Sequence, residues 1–393
     1  MAKATDPRIE AWIERAVSQR WPAVRVAAIT ALKGDASTRR FFSVDIHNSV
    51  VVSSVAIASS SKTPSNIASA SSSTISGSDA IASKTAIAPA SAIAVDLGPD
   101  DLPLYARALK LVPEPVAEPP WINVHRFLSS IGAPVPELYC ADAAARMLLV
   151  EDVGTTPLFE AASRGDAADL YRLAADLLLI FHLEGTRCLD ERCIASRVAY
   201  DERLFRWELE QFVEFGIAQV APGADRDAIA PELDDLAARL GRVPRVLSHR
   251  DYHGHNLFVQ YTPDDSSGKN APMLRVIDFQ DALMAPAAQD LAVLLTTRDT
   301  ARVITERIEQ RVLDYYHTQL VRRGVAKLDF EDFLESYRLC VIQHALKVIG
   351  RFVYLEREGK SGYAVYIPHA LEQARRMLVR GSDFSNLRAA LSA

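Results

Sequence analysis

The chain has 393 residues, of which 49% are hydrophobic, and a formal net charge of −6. Its length and composition can bury a large core divided over two or three domains, and its acidic balance argues against a nucleic-acid partner. No apolar run reaches the about 18 residues of a membrane span, and the N-terminus lacks the apolar segment of a signal peptide, so we expect no membrane partner.

The four cysteines, Cys140, Cys188, Cys193 and Cys340, show no spacing typical of a metal site. Cys188 and Cys193 are too far apart for a Cys-x-x-Cys motif. We interpret all four as free thiols, which indicates a cytoplasmic protein.

A helix and two strands are predicted at the start of the chain, from the helix-start pair Asp6-Pro7 and from apolar periodicity. They are a helix from Ile9 to Val17 and strands from Val24 to Leu32 and from Arg40 to Ile46. A turn between the strands has groups suited to phosphate: Gly34, Ser37 and Thr38. Arg39 or Arg40 can add positive charge. Alone, such a turn is more often a plain hairpin.

Residues 47–91 form a Ser/Ala-rich, low-complexity insertion without aromatic residues, in which the fragment Ala-Ile-Ala recurs. Such a segment buries too little apolar surface to offset its ordering entropy. We therefore expect a flexible insertion rather than a regulatory or partner-binding loop. The stretch from Ser91 to Leu97 contains the last copy of this fragment and is predicted to be the next strand.

Amphipathic helices account for much of the remaining chain, and their aromatic stripes are typical of core packing. The predicted helices are Trp121 to Ser130, Asp169 to His182, Arg203 to Phe215, Ile304 to Arg323 and Phe330 to Tyr354. Glu208, Glu210 and Arg351 can contact a substrate from these helices. For each of these three residues, the simpler interpretation is a surface charge that forms an ion pair between helices.

The most informative segment runs from Ser248 to Asn256 and is followed by an acidic cluster from Val276 to Asp281. Asp251 and Asn256 have the spacing of a kinase catalytic loop, and Asp278 has the position of a kinase metal-binding aspartate. A carboxylate can orient or accept the proton of a hydroxyl acceptor. An amide oxygen and a second carboxylate are the ligands that Mg²⁺ prefers.

The flanking residues predict how these groups meet. A short apolar run at 245–247 leads into the loop. Short strands are predicted at 257–259 and 273–277, with a polar turn from Thr262 to Asn270 between them. A hairpin of the last two strands would bring Asn256 and Asp278 together at one end. Asp290 is predicted to cap the helix from Leu291 and to anchor the catalytic loop.

The loop histidines do not predict a zinc site. His249, His253 and His255 have no matching set of converging ligands. We interpret His249 as a structural residue of the loop and the other two as polar loop groups.

These motifs resemble the aminoglycoside-phosphotransferase-like kinase superfamily. The Asp-Phe-Gln-Asp-Ala version at 278–282 most resembles the bacterial anomeric kinases of N-acetylmuramate and N-acetylglucosamine. Further stretches resemble the phosphate-side hairpin, interlobe hinge and C-terminal signature of those kinases. They are Gly34 to Phe42, Met147 to Gly154, Gly350 to Leu355, Gly359-Lys360 and Tyr363 to Pro368. The resemblance covers nearly the whole chain outside residues 47–91.

The resemblance implies an α+β, two-lobed protein-kinase-like fold. The small β-rich lobe would cover 1–153 and bind the nucleotide, and the larger helical lobe would cover 154–393. ATP and Mg²⁺ would be the cofactors, with Glu151 and Val153 at the adenine. Asp251 would be catalytic, and Asn256 and Asp278 would hold the metal. The acceptor would be the anomeric hydroxyl of a free amino sugar, in cell-wall recycling.

One departure from protein kinases favours the narrower resemblance. Protein kinases place a lysine on the third strand and pair it with a glutamate on the next helix. The corresponding residues here are Val95 and Asn123. The anomeric sugar kinases also lack that lysine, which leaves Arg40, Lys33 or the metal alone to neutralise the phosphates. The alternatives are a kinase of an aminoglycoside, choline or homoserine, or a non-catalytic binding protein. The oligomeric state is not predicted.

Overall fold

The computed structural model describes residues 6–32, 39–48, 88–98, 118–263, 270–324 and 329–392. The predicted phosphate-binding residues Gly34, Ser37 and Thr38 lie outside these ranges, as do Lys33 and most of the 47–91 insertion. Their roles remain predictions.

The N-terminal helix α1 spans Pro7–Arg20. The side chain of Asp6 accepts a hydrogen bond from the backbone N–H of Arg8, and Pro7 occupies the first turn, where its missing N–H has no cost. The predicted helix start is confirmed.

A five-stranded antiparallel sheet follows, with strand order β1-β2-β3-β5-β4. Helix α2, Pro120–Ser130, lies between β3 and β4 in the chain. The strands predicted at 24–32, 40–46 and 91–97 are confirmed. The five strands are β1 Val24–Ala31, β2 Arg40–Asn48, β3 Ser91–Asp96, β4 Leu138–Asp142 and β5 Met147–Glu151.

The two faces of this sheet pack against different parts of the protein. Phe42 and Val44 of β2 pack with Ile13 of α1. Because side chains alternate along a strand, Phe41 and Val95 point to the opposite face, where they pack against the core of the helical part. The face that carries Val95 is therefore turned toward the C-terminal residues of the candidate site.

Helices dominate the rest of the chain, and the amphipathic helices predicted there are confirmed with small shifts of their ends. Two of them, α4 and α5, continue beyond their α-helical bounds through a π-helical turn, at Ile180–Gly185 and Phe212–Gly216. Apart from two short helices at Thr186–Cys188 and Ile217–Val220, the helices are α3 Leu158–Arg164, α4 Ala167–Leu179, α5 Glu202–Gln211, α6 Arg226–Arg242, α7 Ala287–Thr296, α8 Glu306–Arg322, α9 Phe330–Arg357, α10 Ile367–Leu378 and α11 Ser385–Ser392.

Helix α9 passes through the centre of the helical core and is buried on most of its circumference. Gly350 allows it to lie very close to the end of α5. A Cβ at Gly350 would come within 2.4 Å of the backbone of Gln211 and Phe212. This contact fixes the close approach of α9 to the end of α5 at this turn.

Two short strand pairs hold the loops that contain the predicted catalytic residues. Strand β6, Arg245–Ser248, pairs with β9, Leu283–Pro286. Strand β7, Leu257–Pro263, pairs with β8, Asn270–Val276, which confirms the predicted hairpin.

The β-rich N-terminal part and the helical C-terminal part confirm the predicted α+β class. The boundary after Val153 remains a proposal. Among the helices of the described ranges, none combines the length and the apolar character that crossing a bilayer requires.

Candidate active site

The loop at 249–256, between β6 and β7, is held in place by Asp290. This fully buried carboxylate accepts hydrogen bonds from the backbone N–H groups of His249 and Arg250, both at 2.9 Å, and lies 3.0 Å from Nε2 of His182. The predicted anchoring role of Asp290 is confirmed. The predicted N-cap is wrong, because α7 begins earlier and its N-cap is Pro286.

Replacing Asp290 with alanine should lower the free energy of unfolding by about 3–5 kcal/mol, since it leaves buried donors without an acceptor. Urea denaturation measures the change. Asp169, whose side chain is 67% exposed, provides a control, and its alanine variant should change stability by less than about 0.5 kcal/mol. Equal losses in the two variants would contradict the anchoring role.

Asp251 projects from this loop beside a concentration of positive charge. Its carboxylate lies 3.7 Å from Nη1 of Arg250, and its side chain is 34% exposed. Burial acts to raise the pKa of Asp251, but the positive charges of Arg250 and Lys347 outweigh it and hold the pKa below its ordinary range. Asp251 is therefore an ionised, solvent-accessible carboxylate at neutral pH.

Arg250 connects Asp251 to a buried cluster at Glu208. Arg250 has an unusual positive φ of 76°, and its guanidinium lies 3.1 Å from Glu208 and 3.4 Å from Asp281. Such a backbone conformation persists only where the surroundings hold it in place. Here the Asp290 contact and these carboxylates do so.

Glu208 is nearly fully buried, so the interpretation of it as a surface charge is wrong, whereas Glu210 is exposed. It also lies 3.1 Å from Lys347 Nζ, accepts a hydrogen bond from Gln343 at 3.1 Å and accepts another from the hydroxyl of Tyr200. Lys347 and Gln343 were missed by the sequence analysis. The available signal was a lysine inside an otherwise apolar stretch of α9.

Asn256 and Asp278 meet at one end of the β7–β8 hairpin, as predicted. The backbone N–H of Ile277 donates to the carbonyl of Asn256 at 3.0 Å. The amide nitrogen of Asn256 donates to the carbonyl of Asp251 at 2.9 Å, which leaves its amide oxygen available as a ligand. Asp278 has a φ of 62° and accepts a hydrogen bond from Gln280 at 2.9 Å.

Two neighbouring arginines lie on opposite sides of the N-terminal sheet. Arg40 is ion-paired with Asp96 across β2 and β3, on the face covered by α1, and lies within electrostatic reach of Asp6. Arg39 instead reaches Asp278, with Nη1 3.2 Å from the carboxylate. Geometry therefore brings Arg39, rather than Arg40, to the other candidate residues.

The predicted hinge residues lie at the end of β5, where Glu151 is the last residue of the strand and Val153 follows it. Glu151 uses its backbone N–H and its side chain in contacts with Glu137 and pairs with Arg275. Val153 is buried, and its backbone N–H has no acceptor in the described part of the chain. A backbone N–H without a partner in the protein is available to donate a hydrogen bond to a ligand.

Two further predicted residues are His249, which belongs to the loop, and Arg351, which belongs to α9. His249 contacts the carbonyl of Ile277 through Nε2 at 3.0 Å, which confirms its structural role in joining the loop to the segment of Asp278. Arg351 is half-buried on α9, with its guanidinium 5.4 Å from the ring centroid of Tyr354.

The chain is similar to known kinases in sequence and fold. The model of the phosphotransferase enzyme family matches residues 104–329. The N-acetylmuramate/N-acetylglucosamine kinase of Pseudomonas aeruginosa is 28% identical over 274 residues, which are 68% of this chain and 75% of that protein. The protein of the same name from Caulobacter vibrioides is 31% identical over 255 residues, covering 62% and 65%.

The fold is also found in solved structures of low sequence identity. The choline kinase of Streptococcus pneumoniae is 14% identical and superposes with a TM-score of 0.53, over 95% of this chain and 98% of that protein. A complex of that protein with AMP has also been solved. At this identity the likeness concerns the fold, and it confirms the predicted two-lobed, kinase-like arrangement.

Proposed function

The chain belongs to the phosphotransferase enzyme family, and we propose that it transfers the γ-phosphoryl group of ATP to the anomeric hydroxyl of N-acetylmuramate or N-acetylglucosamine. Similar proteins from several bacteria are named N-acetylmuramate/N-acetylglucosamine kinase. They do not favour the aminoglycoside, choline or homoserine alternatives. Phosphorylation of these sugars fits a role in the recycling of cell-wall fragments.

The observation that supports catalysis is the meeting of Asp251, Asn256 and Asp278. Asn256 and Asp278 lie together at the open end of the β7–β8 hairpin, and Asp251 belongs to a loop anchored by a buried aspartate. A non-catalytic binding protein has no need to keep an ionised carboxylate exposed beside two oxygen ligands. The set therefore favours an enzyme.

Asp251 is the catalytic residue of the proposal. Its ionised, partly exposed carboxylate would accept a hydrogen bond from the acceptor hydroxyl and orient that oxygen for in-line attack. Arg250 fixes the direction of the loop and balances the charge of the carboxylates around it. Catalysis would then consist mainly of positioning and electrostatic stabilisation.

The amide oxygen of Asn256 and the carboxylate of Asp278 fit a magnesium ion. Both are hard oxygen donors, and the hydrogen bond of the Asn256 amide nitrogen to the loop leaves the oxygen free for this role. Mg²⁺ bound there would neutralise charge on the phosphate oxygens. Gln280 would hold the Asp278 carboxylate in position.

We assign to Arg39 the positive charge that a third-strand lysine supplies in protein kinases. Val95 is buried on the inner face of the sheet, so no charge comes from that position. Arg39 lies at Asp278 and can turn from this carboxylate to a phosphate oxygen. Arg40 remains a predicted contact that its pairing with Asp96 disfavours.

Adenine would bind at the hinge, on the backbone N–H of Val153 and beside Glu151. The unpartnered N–H of Val153 supports this position. Gly34, Ser37 and Thr38 remain predicted phosphate contacts outside the described residues. The four free thiols and the use of ATP favour the cytoplasm as the compartment.

A panel of acceptors tests the proposed function. ATP-dependent turnover should be found with N-acetylmuramate and N-acetylglucosamine, and kcat/KM on choline, homoserine and kanamycin should be at least about 100-fold lower, because a pocket fitted to a sugar leaves polar groups unpaired with other acceptors. Coupled ADP release provides the assay. If only choline, homoserine or kanamycin were phosphorylated, and neither sugar, the proposed acceptor would be wrong. If no compound were phosphorylated, the proposal that the protein is a catalyst would be contradicted.

A further inference from the structure

One face of helix α9 carries three polar side chains at four-residue spacing: Gln343, Lys347 and Arg351. Residues four apart lie on the same side of a helix. Gln343 and Lys347 each contact Glu208 at 3.1 Å, and Glu208 contacts Arg250 of the catalytic loop. Arg351 lies one turn further, about 6 Å beyond Lys347 along the axis.

Arg351 differs from the other cations of this cluster because it forms no ion pair with any carboxylate of the described residues. Lys347 is paired with Glu208, and Arg250 lies against three carboxylates. Within the described ranges, the only contact of the Arg351 guanidinium is with the ring of Tyr354. Burial lowers the pKa of Arg351, and the positive charge of Arg250 acts in the same direction. A partly buried cation without an anion is costly to keep.

The position of Arg351 is rigid. Its guanidinium lies on the Tyr354 ring, which itself packs against Phe215 with 5.2 Å between centroids. Gly350 holds this turn of α9 directly against the backbone of Gln211. A guanidinium fixed by stacking loses little entropy when it binds a carboxylate with two parallel hydrogen bonds.

Arg351 lies on the acceptor side of Asp251. The proposed nucleotide groups, Asp278 and Arg39, contact each other on the side of the N-terminal sheet. Arg351 lies instead on the same face of α9 as Gln343 and Lys347, which contact Glu208, and is within electrostatic reach of Glu208 and Arg250 in the helical part. An anion bound at Arg351 therefore belongs to the acceptor rather than to ATP.

We propose that Arg351 binds the carboxylate of the lactyl group of N-acetylmuramate and so determines the preference of the enzyme between its two sugars. The inference rests on the proposed function. N-acetylmuramate differs from N-acetylglucosamine by a lactyl ether on C3, whose carboxylate is the only charge on the sugar. Both sugars should bind the same catalytic groups at C1, whereas only N-acetylmuramate should contact Arg351.

Arg351→Gln tests the assignment through kcat/KM on both sugars. Removing a charged hydrogen-bond donor should lower kcat/KM on N-acetylmuramate by about 10- to 100-fold, mainly through KM. The value for N-acetylglucosamine and the KM for ATP should change by less than about twofold. Arg351→Lys, which keeps the charge but not the two-pronged geometry, should give an intermediate loss on N-acetylmuramate only.

Arg357→Gln is the matched control. Arg357 is an exposed arginine on the same helix and also lies over an aromatic ring, Phe215, at 5.4 Å. Its substitution should leave kcat/KM unchanged on both N-acetylmuramate and N-acetylglucosamine.

The outcomes separate this inference from the proposed function. Suppose that the wild-type protein phosphorylates both sugars. If Arg351→Gln then lowers kcat/KM equally on both sugars, or lowers it on neither sugar, Arg351 does not recognise the lactyl carboxylate. A rise in the KM for ATP would assign Arg351 to the nucleotide. If wild-type protein phosphorylates neither sugar, the proposed function fails, and the role of Arg351 fails with it.

Discussion

Asp251→Ala should lower kcat by about 10³-fold while the protein stays folded, because it removes the group that orients the acceptor hydroxyl. The loop should keep its shape in this variant. It is held by backbone hydrogen bonds to Asp290, and Asn256 contacts the carbonyl of Asp251 rather than its side chain. Steady-state kinetics and thermal unfolding measure the two effects.

Asp251→Asn separates the charge of the residue from its shape. It preserves the size of the side chain and removes the ionised carboxylate, so its kcat should fall nearly as far as that of the alanine variant. Asp169→Asn, at an exposed position, controls for the loss of one negative charge. If either Asp251 variant retains more than about a tenth of wild-type kcat, Asp251 is not the catalytic residue.

Asp278→Ala should lower kcat/KM by about 10²- to 10³-fold and raise the Mg²⁺ concentration required for half-maximal rate, since a bound metal ion contributes several kcal/mol to catalysis. Mg²⁺ titrations at saturating ATP measure the shift. The variant also removes the carboxylate that contacts Arg39.

Gln280→Ala provides a graded comparison for Asp278. Gln280 donates a hydrogen bond to Asp278 and has no predicted contact with the metal. Loss of such a supporting contact typically costs about 10-fold or more, so this variant should lie between the wild type and Asp278→Ala. Full Mg²⁺-dependent activity of Asp278→Ala would contradict the metal assignment.

The parts of the site that lie close together in the chain were predictable from the sequence. The hairpin strands and their register bring Asn256 to Asp278, because pairing partners follow from the turn between them. The role of Asp290 as loop anchor was predicted from its place before an apolar helix. Its N-cap assignment failed because β9 ends in Pro286, and the helix begins there instead.

The cluster around Glu208 was not predictable in this way. Its members come from α5, the catalytic loop and α9, and no periodicity indicates which helix faces will meet. A glutamate on an amphipathic helix is usually exposed. Only the fold shows that Tyr200, Arg250, Gln343 and Lys347 all contact Glu208 and so make the burial of its carboxylate possible.

The choice between Arg39 and Arg40 had a usable signal that the sequence analysis did not apply. Phe42, Val44 and Ile46 alternate along β2 and form the face packed on α1. Because Arg40 has the same parity, its side chain belongs to that outer face, and Arg39 belongs to the inner one. Strand alternation, applied to the turn residues, would have favoured Arg39.

The position of the new phosphate on the sugar tests the central claim most directly. N-acetylglucosamine labelled with carbon-13 at C1 is incubated with ATP, Mg²⁺ and the enzyme, and the product is examined by phosphorus and carbon NMR. We predict phosphorus–carbon coupling at C1, and no reaction with the methyl glycoside, whose anomeric oxygen is blocked. A product phosphorylated at C6, or turnover of the methyl glycoside, would contradict transfer to the anomeric hydroxyl.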